Sequence, residues 1–139
     1  MADEKKQRTL ATVMATKIPR FVRGNMSDTL KAKEEGRKVA YAYINDGQDE
    51  VLRAMGITLG WGESFAGVCA AKRDAEKYLQ KAESDNFSRS LCTYGTCTIG
   101  FDMWREELGG EMPPGAPWGG MARPDMIIGS AQQLCDPRF

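Results

Sequence analysis

The chain has 139 residues, 42% hydrophobic and 27% charged, with 19 basic residues balanced by 19 acidic ones and no histidine. That length suits one domain with its own core. The missing imidazoles exclude Ser-His-Asp and Cys-His nucleophiles, HExxH zinc sites and mixed Cys/His fingers, and no run approaches the roughly 18 apolar residues of a membrane span.

Residues 5–24 read as a helix on the imperfect stripe Leu10, Val13, Met14, Phe21 and Val22, broken at Gly24-Asn25. Ser27 or Asp28 then caps a second helix to about Lys38, weakening at Gly36. Residues 1–40 carry ten Lys/Arg against five Asp/Glu, and the remainder nine against fourteen. This basic start lacks the aromatic interleaving of a nucleic-acid module, so it reads as a solvated face or a clamp on a partner subunit. It also lacks an apolar leader in "MADEKKQRTL", which predicts a cytoplasmic protein whose thiols stay reduced.

"KVAYAYIN" reads as a strand, "DEVLRAMG" as a short helix stopped by Gly56 at C′, and "ITLGW" as a second strand. That rhythm predicts an α/β fold: N-terminal helices over 1–38, then a Rossmann-like parallel sheet layer over 39–139, incomplete at the chain's end. Val68, Ala71, Ala75, Tyr78, Leu79 and Ala82 mark one amphipathic helix. "ESDNFS" is a loop, and Ser88 or Ser90 caps a helix running to about Leu108. "GGEMPPGAPWGG" is irregular, and Met126 to Gly129 reads as a buried strand. The strand has no return helix after it, which predicts that the sheet continues in a longer subunit.

Chemistry must then rest on cysteines, carboxylates, lysines, tyrosines or a cofactor. "SLCTYGTCTIG" spaces Cys92 and Cys97 as C-x4-C, with Cys135 further on. Spacing alone leaves metal ligands and core thiols both open. Cys92 falls in the first turn of its helix, where the dipole favours a thiolate. Cys135 lies just beyond the carboxyl end of a strand, where open α/β sheets place ligands. Cys69, among small residues, reads as packing. Glu63 in "GWGESFAG" is either a carboxylate answering a helix dipole or an acid/base group beside a substrate. Gly60 and Gly62 lack the third glycine of a dinucleotide fingerprint, and there is no P-loop.

"DEVLRAMGITLGWGESFAGVCAAK", "FSRSLCTYGTCTIG" and "RPDMIIGSAQQLCD", in that order, resemble the N-terminal part of cluster-bearing subunits of the benzoyl-CoA reductase and 2-hydroxyacyl-CoA dehydratase family. The resemblance spans about Lys38 to Arg138. It implies a [4Fe-4S] cluster held by three cysteines, with Cys92 and Cys135 as the first two ligands and the third beyond Phe139. Cys97 extends the match toward the reductase branch, whose subunits can show Cys-Thr-Tyr-x-x-Cys, and joins the candidate metal set. Glu63 matches an acidic residue near the bound thioester in the dehydratase branch, although Gly62 replaces the Pro that usually precedes it. The partners implied are a paired cluster-bearing subunit, a separate ATP-dependent activator that donates electrons, and an acyl-CoA substrate, with neither nucleic acid nor membrane. The implied activity is ATP-driven, one-electron reduction of an aromatic acyl-CoA thioester. Radical elimination of water by a 2-hydroxyacyl-CoA dehydratase is the alternative, and a non-enzymatic zinc or scaffold module a third.

Overall fold

Val39–Ala42 (β1) has all four residues buried and is the middle strand of the sheet. A strand covered on both faces needs a continuous apolar run in place of alternation, and "VAYA" supplies one. Thr58–Trp61 (β2) and Met126–Ile128 (β3) flank it, both parallel to it, with Ala40 opposite Leu59 on one side and Met126 on the other. The computed structural model describes residues 10–43 and 47–129. Their architecture is mixed α/β: N-terminal helix, then a three-stranded all-parallel sheet ordered β2-β1-β3, a partial Rossmann-like layer.

The helices expected over 5–24 and 27–38 are one helix, Leu10–Glu34 (α1), running through Pro19 and the Gly24-Asn25 pair. Tertiary contacts override the local break. Asn25 donates from Nδ2 to the Leu59 carbonyl at 2.8 Å, and Ser27 returns its hydroxyl to the Gly24 carbonyl at 2.9 Å. Further on, Met26 joins the main core with Tyr41 and Phe65. The buried Thr29 hydroxyl donates to the Met26 carbonyl and accepts from the Ala122 N–H. The change from α1 to β1 is thus a change of local structure within one packed unit.

Gln48–Ala54 (α2) links β1 to β2 and ends as the sequence predicts. Gly56 takes φ +74°, a conformation cheap only for glycine, while Ile57 N–H reaches back to the Leu52 carbonyl. The long helix expected around 68–82 is two helices, Gly62–Ala71 (α3) and Ala75–Ser84 (α4). The chain turns between them at Arg73, φ 61°, and Asp74 N–H closes onto the Cys69 carbonyl. Thr93–Glu107 (α5) packs against both. Ser88 and Ser90 bond each other, and Cys92 occupies the N-cap in their stead.

The main core lies between these helices and the sheet. Phe65, Tyr78, Phe101 and Trp104 form a chain of tilted and edge-on ring contacts with centroids 4.6 to 6.1 Å apart, a geometry that adds to area burial. β3, expected to be buried, is an edge strand with Met126 41% and Ile127 60% exposed. Its apolar run is the same signal a central strand gives, because periodicity cannot distinguish edge from centre. Among the described residues no helix is long and apolar enough to cross a membrane.

Candidate functional site

Tyr43 follows β1 at its carboxyl end and is 5% exposed. Its ring lies against Gly62, the first residue of α3, where a Cβ would fall 2.6 Å from the ring. Only a residue without a side chain lets the strand end and the helix start approach so closely. Thr98 of α5 closes the same corner. Its hydroxyl reaches the Gly62 carbonyl at 3.3 Å and the Tyr94 carbonyl at 3.1 Å, and it also bonds the Tyr43 side chain. Burial pushes the Tyr43 phenol up to about 12, a rise that the Thr98 bond offsets and the nearby Asp102, Cys97 and Cys92 augment.

From this corner the helix directions can be read. Thr98 meets the end of β2, while Asp102 and Arg105 interact with Tyr41 of β1. Cys92 therefore stands about 9 Å beyond Thr98 along the helix axis, above the carboxyl edge of the sheet. In open parallel sheets that edge is where ligands bind. Here β1 has β2 on one side and β3 on the other, a reversal of strand order beside the middle strand.

Cys92 is half-buried at the N-cap, φ −56° and ψ 121°, and no side chain caps this helix end. The first N–H groups of α5 are thus unclaimed by a side-chain cap and point their partial positive charge toward this end of the helix. Glu63 is exposed in the first turn of α3, also an end without a side-chain cap. It makes no hydrogen bond or ion pair among the described residues.

Cys97 is placed differently. Five residues of helix turn it about 140° from Cys92, and it lies 1% exposed in the main core with Cys69, which is 0% exposed. The two thiols hydrogen-bond. That bond, with burial behind it, pushes the Cys69 thiol up, and the same bond lowers Cys97. The structure does not present Cys97 and Cys92 to a common point. Cys135 lies outside the described residues. Among the described residues, no group of three or more His, Cys, Asp and Glu converges.

Tyr43, Thr98 and the pairing of Cys69 with Cys97 carry no local signal in the chain. Each depends on distant contacts, 19 positions from Tyr43 to Gly62, 28 from Cys69 to Cys97 and 36 from Gly62 to Thr98. Asp102 is equally unmarked, and its carboxylate accepts a 2.5 Å bond from Arg105 one turn along the same helix. Burial raises it to about 6 despite the opposing charges of Arg105 and Arg123. Comparison with known proteins returned no matching family model and no matching curated protein.

Proposed function

We propose that this chain is the cluster-bearing part of a benzoyl-CoA reductase-type enzyme, the class implied by the resemblance of "LCTYGTC" and "IIGSAQQLCD". The observation that carries the reading is the placement of Cys92: a half-buried thiol on an uncapped helix N-terminus, above the carboxyl edge of an all-parallel sheet. An anionic iron–sulfur group is favoured there, because N–H donors and the helix dipole stabilise its charge. Cys92 fits as one ligand, with Cys135 assigned as the second from the resemblance alone. Cys97, buried on Cys69, is left out of the set.

When bound, a [4Fe-4S] cluster supplies low-potential electrons one at a time. The chain's own residues have other tasks. Cys92 anchors the group to α5. Tyr43, wedged on Gly62 and bonded to Thr98, fixes α3 and α5 to the end of β1 and keeps a neutral phenol there. The electrons would come from a separate ATP-dependent activator, and a paired subunit would complete the enzyme for its acyl-CoA substrate.

The dehydratase reading is favoured by Glu63, which is exposed in the first turn of α3, without an ion pair among the described residues, and suited to moving a proton during loss of a hydroxyl. Product analysis separates the two: a cyclohexadiene thioester marks reduction, an enoyl thioester dehydration. The first experiment is iron and acid-labile sulfide on the anaerobically purified protein, wild type beside Cys92→Ser. About four irons and four sulfides per cluster, lost in the variant, are expected. Zinc without sulfide would replace both readings with a structural zinc module.

A further inference from the structure

The Cys69–Cys97 pair takes no part in the site above, yet it is reachable. A pocket of about 300 Å³ between α3, α4 and the start of α5 is walled by Ala66, Ala70, Ala75 and Leu79, and Cys97 lines it. Tyr94, 47% exposed, also lines it. The rest of its wall is small and apolar apart from Thr93 and Tyr94, so Cys97 supplies its one thiol. Behind that thiol lies Cys69, wholly buried and hydrogen-bonded to it. The Tyr78 hydroxyl, in electrostatic contact with both sulfurs, is buried with no hydrogen-bond partner among the described residues. A buried donor without an acceptor is costly, and its presence beside two thiols marks a place where an oxygen atom would be welcome.

We propose that Cys69 and Cys97 form an oxidisable dithiol, closed to an intramolecular disulfide by a small hydroperoxide entering this pocket. The Cys97 sulfur, as thiolate, attacks the near peroxide oxygen. The O–O bond breaks, and the leaving hydroxide or alkoxide takes up the Cys97 proton, leaving a sulfenic acid. Cys69 then attacks that sulfur, the S–O bond breaks, and water departs with the Cys69 proton. In sum, two thiols lose two electrons and two protons, and one hydroperoxide is reduced to an alcohol, or water, plus water. A peroxide of a few atoms fits the pocket, whereas a bulky disulfide oxidant does not reach the buried sulfurs. The bond formed ties α3 to α5, the two helices that meet Tyr43 at the end of β1. This inference stands apart from the cluster reading, since neither cysteine is a ligand in it.

The test treats the full, iron-free chain in its reduced, folded state with equimolar hydrogen peroxide. It then alkylates the remaining thiols and maps peptides by mass spectrometry. Expected is loss of two of the four thiols, a peptide link between Cys69 and Cys97, no added oxygen, and reversal by dithiothreitol. Cys92→Ser keeps the link, and Cys97→Ser abolishes it. A link that includes Cys92 or Cys135 overturns the proposal. So does over-oxidised Cys97 beside a free Cys69 thiol, or two thiols that stay reduced while Cys92 oxidises. The map of the unsubstituted chain decides the question even where a variant fails to fold.

Discussion

On the side of α5 that faces α4, the two backbones touch. A Cβ on Gly100 would fall 1.8 Å from the Tyr78 carbonyl oxygen, and the rings of Phe65, Tyr78 and Phe101 fill the space alongside. On the side that faces β3, α5 borders a cleft of about 420 Å³ lined by Asp102, Arg105, Glu106, Arg123 and Asp125. There the contacts are ion pairs and hydrogen bonds: Arg105 to Asp102 and to the Met121 carbonyl, Arg123 to Glu106, and Asp125 to Lys33, Lys38 and the Val39 N–H. One helix thus has a dry seam and a charged one. The dry seam derives its strength from shape, which small volume changes destroy. The charged seam derives its strength from protonation states, which pH changes.

The largest effect should come from cutting the dry seam. Phe101→Ala removes a wholly buried ring and is expected to cost about 4 kcal/mol in urea unfolding. Gly100→Ala tests the opposite fault, overpacking at a backbone contact, and should cost roughly 3 kcal/mol. If either cost less than 1 kcal/mol, shape would not be what holds this side.

The charged seam predicts two pH slopes of opposite sign. Asp102 has a folded value of about 6 against an ordinary 3.8, so between those values the native state holds a proton that the unfolded chain has released. Its contribution is most favourable at the acid end of that window and declines as pH rises through it, by an amount on the order of 2 kcal/mol. Asp102→Asn should erase that slope in unfolding measured across the window. Asp125 behaves inversely. Lys33, the Val39 N–H and Lys38 hold its carboxyl below the ordinary range, so its contribution is present above that range and lost as pH falls below it. Asp125→Asn should flatten the acid limb, a smaller effect because its lysine partners are partly exposed. Smallest of all, Ile127→Ser on the exposed edge should change stability by no more than about 0.5 kcal/mol.

Much of the fold was legible because its signals are local. The apolar run at 39–42, the glycine stop at 56 and the second strand at 58–61 each announce themselves within a few residues, and their order implies a parallel layer. The failures came where distant contacts decide. Gly24-Asn25 looks like a break until Asn25 is seen bonded to Leu59. The Arg73 turn interrupts a stripe whose periodicity carries on through it. For the candidate site, the helix start was read two to four residues early, at Ser88 or Ser90, yet Cys92 was still placed at its N-terminal turn. The inward turn of Cys97 follows from where that helix starts, which no pattern near Cys92 marks. Tyr43 and Thr98 were invisible, since one follows a strand and the other lies inside a helix 55 positions later.

The middle position of β1 also constrains the order in which the sheet can assemble. β1, α2 and β2 are consecutive, so their pairing closes a short loop and can form early. β3 must find β1 across a separation of 86 residues, as the Val39–Asp125 bond records. Long-range parallel pairing of this kind is slow. On a ribosome, the β1–β2 pair and the helices after it emerge before the third strand exists. Through that interval the free side of β1, with its unmet N–H and C=O groups, is what a nascent chain has to shield.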